Sequence, residues 1–275
     1  MNPALCLFSA IVRHLADKKF PTIITPLIQE SVARGANFED VEPIRTFWQE
    51  LAKHHDPLAW LPLHRTDIEA SINFPSYGKG GSVSYLSTLS NSGKLEKQPV
   101  VNTPAQPFTA VEQTINQDSA ARCVRSWTKE SNGKVEVKLF ETSVPISGAD
   151  ITTKQLLKQR LECLAKVTPS AVKLKTSKAE DIFDIVFSAA SNAGAYSHGE
   201  GGAHGRLAAW QSLAVLAGVR ADGTFDDVYK AVKQSDWHSL SAHSEWFYNI
   251  AWDFGIVCLR PDKRHIAVMA ATDQD

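Results

Sequence analysis

The densest concentration of side chains able to do chemistry lies in Tyr196-Ser-His-Gly-Glu-Gly-Gly-Ala-His-Gly-Arg206, where two imidazoles, a carboxylate and a guanidinium sit among four glycines. His198, Glu200 and His204 are donors of the types zinc accepts, and a catalytic zinc needs three protein ligands and an open position. The spacing is not the helical His-x-x-x-His of zincins. Glycines let a backbone take positive φ angles and approach a ligand closely, so the segment reads as a site loop. Two plainer readings stay beside it. The segment is a turn with solvated histidines, or, leading into a helix with Arg206 at hand, it cradles phosphate. No Gly-Lys-Ser/Thr ends it, and no strand clearly precedes it, so it is neither a Walker loop nor a dinucleotide fingerprint.

A second group is Cys123, Trp127 and Glu130, spaced four and three apart and so expected on one helix face. Cys123 is a candidate fourth metal ligand, against the alternative of a small core residue. Glu130 is a candidate ligand or general base, because a carboxylate in the last turn of a helix opposes the helix dipole and asks for a partner. His238 and His243, flanked by Trp237 and Trp246, suggest an aromatic rim. Trp127, Trp210, Trp237 and Trp246 are the residues available to line an apolar pocket.

The elements that must position these groups follow from periodicity. Leu5, Phe8, Ile11, Val12 and Leu15 predict a first amphipathic helix, and Ile24, Leu27, Ile28 and Val32 a second. Ile44, Phe47, Trp48 and Leu51 predict a third, with Asp40 as its cap. Residues 56–108 are rich in proline, serine and glycine and read as loop or lid. Thr109 is expected to cap a helix reaching Lys129, before a Ser131-Asn132-Gly133 turn and a strand alternating through Val135, Val137 and Leu139. Leu156, Leu157, Leu161 and Leu164 predict one helix, and Ser177 with Glu180 caps another running to about Ala193. Leu207 to Ala217 forms the next helix, closed by Gly218, and Thr224 with Asp227 caps a shorter one. Phe254–Leu259 and Ile266–Ala270, joined by Arg260-Pro-Asp-Lys-Arg, predict a β-hairpin. The expectation is a predominantly helical α+β fold, helices on a small antiparallel sheet, as a single unit over 1–275: helical to 55, loop-rich from 56 to 108, α+β core from 109.

Composition narrows the class of partner. The 275 residues carry 29 lysines and arginines against 30 aspartates and glutamates, so no overall field draws nucleic acid or an anionic membrane. A small-molecule substrate is the expected partner, and the sequence leaves the oligomeric state open. Cys6, Cys123, Cys163 and Cys258 lie far apart without a CxxC pair and read as reduced thiols of a cytoplasmic protein. The apolar run at 3–12 has no basic segment before it and reads as helix rather than signal peptide, and no run reaches the ~20 apolar residues of a membrane span.

Two stretches carry a resemblance: Trp127-Thr-Lys-Glu-Ser-Asn-Gly133, and Gly205-Arg-Leu-Ala-Ala-Trp-Gln-Ser-Leu213 onward through Ala251-Trp-Asp-Phe-Gly-Ile-Val-Cys-Leu-Arg-Pro-Asp262 to Ala267-Val-Met-Ala-Ala-Thr-Asp273. Over its second half the chain resembles a family of bacterial and fungal proteins of unknown function. Its size and histidine-bearing segment are similar, within that group, to fungal cyclopenases, the hemocyanin-like zinc proteins of quinolone alkaloid secondary metabolism. The resemblance implies a zinc-dependent lyase that contracts a cyclopenin-type 6,7-bicyclic epoxide to a viridicatin-type quinolone, releasing a methyl isocyanate fragment as carbon dioxide and methylamine. Zinc would act there as a Lewis acid. The chain lacks the paired His-x-x-x-His helices of dicopper proteins, which argues against dioxygen chemistry. The expected metal ligands, His198, Glu200, His204 and Cys123, with Glu130 as catalytic base, rest on residue type and spacing. A non-catalytic binding or scaffold protein, or a phosphate-binding protein, is the alternative.

Overall fold

The structure is a computed structural model that describes residues 21–70, 72, 108–192, 194–248 and 252–274, together with positions 10 and 14. The helix expected through Leu5–Leu15 and most of the proposed lid lie outside the described residues. The fold is α+β: six antiparallel strands in the order β1-β2-β6-β5-β4-β3, with helices against one face and short helical turns against the other.

The sheet grows from the predicted hairpin. β5 (Asp253–Leu259) and β6 (His265–Thr272) pair with Ile256 opposite Met269, and the turn between them is tied by Asp262, whose Oδ1 accepts from the Arg264 and His265 amides at 2.9 and 3.0 Å. Both strands are buried on both faces, so they read as continuous apolar runs instead of alternating ones. β2 (Lys134–Thr142) adds to β6 with Val137 opposite Met269, as its alternation predicts. Its Val137 and Leu139 face the helices, while Phe140 faces the turn layer.

Two strands are additional to the sequence expectation: β3 (Val172–Ser177) and β4 (Asp236–Ala242), which complete the other side of the sheet. A third, β1 (Ala110–Gln113), replaces the start of the helix expected from Thr109. Val111 pairs opposite Glu141 at the edge of β2, and Lys138 reaches Glu112 across the strands at 2.6 Å, so long-range pairing overrides local helix preference. Helical structure then comes in pieces: α3 (Gln117–Ala120), capped by Asn116, a 3₁₀ turn at Arg122–Val124, and α4 (Arg125–Glu130).

The helical layer contains α1 (Pro21–Ala33), α2 (Glu42–Lys53), α6 (Ala179–Asn192), α7 (Gly201–Ala217) and α8 (Phe225–Gln234). α2 begins after Val41, not Asp40, and Pro43 in its first turn suits the start of a helix. α6 begins one residue later than the Ser177–Glu180 pattern implies, because the Lys178 amide donates to Asp181 at 3.2 Å. α8 carries the predicted capping box, with Thr224 and Asp227 satisfying each other's amides. The leucines at 156–164 divide between α5 (Thr153–Lys158) and a 3₁₀ turn at Glu162–Leu164, separated by Arg160 at φ 54°. Buried Glu136 of β2 fixes that turn by accepting the Glu162 and Cys163 amides at 2.8 and 2.9 Å.

α7 is the axis of the helical layer. It is buried nearly all round, which an alanine-rich sequence with Leu207, Trp210, Leu213 and Leu216 permits, and Gly218 ends it in the left-handed conformation at φ 84°. Its deepest charged residue is Arg206. That side chain is wholly buried against Glu69, with Nη2 2.9 Å from Oε2, and also donates to Gln29 and to the Pro62 and His64 carbonyls. Trp210 Nε1 donates to the same carboxylate at 2.9 Å, so one network binds α1 and the 60–72 segment to α7.

Candidate functional site

The segment from Tyr196 to Arg206 is only partly a loop, since α7 begins at Gly201 and takes in His204 and Arg206. What joins α6 to α7 is a short, fastened connection. Asp273 at the end of the sheet accepts the Ala195 amide at 2.7 Å and the Ser131 hydroxyl at 2.8 Å. Glu130 accepts the His198 amide at 3.0 Å, and the Glu200 amide donates to the Ala190 carbonyl at 2.9 Å. A Cβ on Gly199 would lie 2.2 Å from the Ser191 carbonyl oxygen, so glycine is needed there for the connection to lie on the end of α6.

Each donor expected to hold zinc has its own direction. The His198 side chain is 96% exposed, with Nδ1 3.5 Å from Glu130. Glu200 is taken by Arg122 in a two-pronged pair, with Nη2 3.0 Å from Oε2. His204 stands exposed on the outer face of α7. Cys123 is buried with its amide on Ser212 Oγ at 2.9 Å, and burial pushes its thiol up to about 12, away from the thiolate a metal requires. Among the described residues no group of three or more His, Cys, Asp or Glu side chains converges as a metal shell would. The donor set does not fit zinc.

Glu130 finds the partner its place at a helix end demands, but that partner is a backbone amide, so the carboxylate anchors the connection. The phosphate alternative also loses its parts. Arg206 is sealed against Glu69, and the Ala203 amide at the start of α7 already donates to Glu30 at 3.0 Å. Trp127, Trp210 and Trp237 are core residues, and Trp246 packs on the opposite side of the sheet. His238 is buried in β4, and burial lowers its pKa so that it stays neutral at neutral pH, while the His243 amide pairs with Ala171.

A different recess does bring functional groups together. His204, Leu207 and Gln211 form a stripe along α7 that faces Thr25 and Pro26 of α1 across a groove of about 470 Å³. The Asp56–Leu58 turn and Arg122 also line it. Leu207, Leu58 and the two prolines give it apolar lining, and Thr25, His204, Gln211, Asp56 and Arg122 supply polar groups able to orient a ligand. Of the residues expected from sequence only His204 takes part. Asp56-Pro57 carries a local signal that points to this turn, an N-cap followed by proline. Arg122 has none, since its partner Glu200 is 78 residues away.

Helices and turns on the two faces of an antiparallel sheet, with a groove between two helices of one layer, define an α+β protein of the helical-layer type. The chain belongs to a family of unknown function, DUF6183, which it matches over residues 10–275. No curated protein and no solved structure matches it.

Proposed function

We propose that the protein binds a small organic molecule in the groove between α1 and α7, and that His204 is the group able to exchange a proton with it. The observation that carries this is the His204–Leu207–Gln211 stripe, which puts an accessible imidazole and an amide over an apolar floor in a recess of about 470 Å³. Imidazole is the side chain suited to proton transfer near neutral pH. Arg122, held by Glu200, sets a guanidinium in the lining of the groove. The zinc-dependent ring contraction implied by the resemblance has no comparable support, because its expected ligands point apart.

The test is a fragment screen by NMR on protein labelled at its histidines, with the His204 ring resonance assigned from a His204→Gln variant. Fragments that bind should move that resonance in the parent protein and fail to bind Gln211→Trp, whose indole fills the groove from a half-buried position. Hits that leave His204 unmoved, or that bind Gln211→Trp equally well, overturn the assignment.

A further inference from the structure

The groove selects by charge. Two of the side chains lining it are an arginine and an aspartate, Arg122 and Asp56. Arg122 is neutralised within the protein, both terminal nitrogens lying on the two oxygens of Glu200 with each partner about one-quarter exposed. Asp56 is not. Its Oδ1 accepts the Leu58 amide at 2.9 Å, which together with Pro57 fixes the carboxylate in the lining of the groove. The cations on the neighbouring helices are engaged elsewhere: Lys53 with Glu50 and Arg34 with Glu30, each at 2.6 Å. Among the described residues that line the groove, Asp56 therefore carries the one charge not paired within the protein, with the hydrogen-bonding side chains of His204 and Gln211 contributed by α7 and apolar lining from Leu58, Leu207 and Pro26.

On the reading of this groove as a ligand site, we propose that the ligand is a protonated amine on a compact apolar body, its ammonium seated on Asp56 and its body between Leu58 and Leu207. An anionic ligand would meet Asp56, and the one cation among the described residues lining the groove, Arg122, could be taken only by displacing Glu200. A metal ion would find one carboxylate where it needs several ligands. A charge-assisted hydrogen bond to a fixed, half-buried carboxylate favours the amine over a neutral isostere by about tenfold.

The experiment uses the full chain at pH 8 and low salt, with three near-isosteric probes: 2-phenylethylamine, 2-phenylethanol and phenylacetate. Binding is read from the His204 ring resonance. The amine should bind about tenfold more tightly than the alcohol, and phenylacetate most weakly. Asp56→Asn keeps a good capping side chain for the turn and should erase the amine's advantage while leaving the alcohol's affinity within twofold. If the alcohol binds as tightly as the amine, the charge inference falls and the groove stands. If the advantage survives Asp56→Asn, Asp56 is not the seat and the proposal fails. If none of the three moves His204, the groove reading falls with it.

Discussion

Replacing Arg206 by methionine tests the assignment of the Arg206–Glu69 network as the fastening between the 21–72 segment and the central helix. Both side chains are completely buried. Methionine fills much of the arginine stem's volume but removes every donor, taking their Arg206 partner from Gln29 Oε1 and the His64 carbonyl, leaving the Pro62 carbonyl with only Gln29 Nε2 and Glu69 with only the Thr66 amide and Trp210 Nε1. Breaking a buried ion pair from one side costs about 3–5 kcal/mol. For a chain this size that lowers the melting temperature by roughly 6–20 °C, taking ~2–4 °C per kcal/mol. Arg206→Met/Glu69→Met strands no charge, so its cost should fall below the sum of the single replacements by about 2 kcal/mol or more. Urea unfolding followed by tryptophan fluorescence supplies the three values. A loss below about 1 kcal/mol in Arg206→Met, or simple additivity in the double variant, refutes the reasoning.

Acid gives the same network a second readout. Burial pushes the Glu69 carboxyl up, and the Arg206 guanidinium with its hydrogen bonds more than reverses this, so the group lies below its ordinary value of 4.5. A depressed folded pKa contributes stability that is fully present above about pH 4.5 and is lost as pH falls through the folded value. In Arg206→Met only burial and the two remaining donors act, the folded pKa rises, and protonation of Glu69 relieves the variant. The stability gap between parent and variant should therefore begin to narrow above pH 4.5, as the variant's Glu69 takes its proton, and go on narrowing below it as the parent's does. A gap that widens on acidification would contradict the sign.

Three further outcomes follow from the site. Cys123 and Cys258, both buried with thiols pushed up to about 12, should resist iodoacetamide at pH 8 in the native chain and react only on unfolding; mass spectrometry of a Cys6→Ser variant reads this, and labelling of Cys123 within minutes would place it at a surface. Gly199→Ala drives a methyl toward the Ser191 carbonyl oxygen and should destabilise the protein by about 1–3 kcal/mol in the same urea assay, while a neutral result would mean that the connection is not packed on α6. Exhaustive dialysis against a chelator should leave the melting temperature within about 1 °C, because the donors do not form a metal shell; one equivalent of zinc whose removal lowers it by several degrees restores the zinc reading.

Legibility in the sequence divides along a physical line. Elements stabilised by their own pattern were readable: the β5–β6 hairpin from two apolar runs around a proline-aspartate reversal, α8 from its capping box, and the end of α7 from Gly218. Elements that depend on distant partners were not. β1 has exposed Val111, Glu112 and Gln113 and owes its conformation to β2, while β3 alternates lysines with Val172 and Leu174 at the sheet edge and owes its own to β4. β4, with four polar residues, Asp236, His238, Ser239 and Ser241, among its seven, lacks the apolar run that revealed its neighbours.

The candidate site shows the same division more sharply. Residue types at 196–206 resemble a metal loop because spacing along a chain says nothing of direction, and a tight connection needs the same glycines as a ligand cradle. Here Gly199 serves the close approach to α6, Glu200 turns to Arg122 and Arg206 turns inward to Glu69, so three residues of one short segment leave it on three different errands. Of that segment's described residues, His204 is the one whose imidazole lines the groove. Its companions, Gln211 seven residues on and Asp56 far upstream, are joined to it by the packing of α1 and the 57–60 turn onto α7, and that packing is set by the buried network around Glu69. Function in the groove and stability in the network are thus linked through α1: an Arg206 variant that loosens α1 should also widen the groove and weaken amine binding, although Arg206 itself lines no part of it.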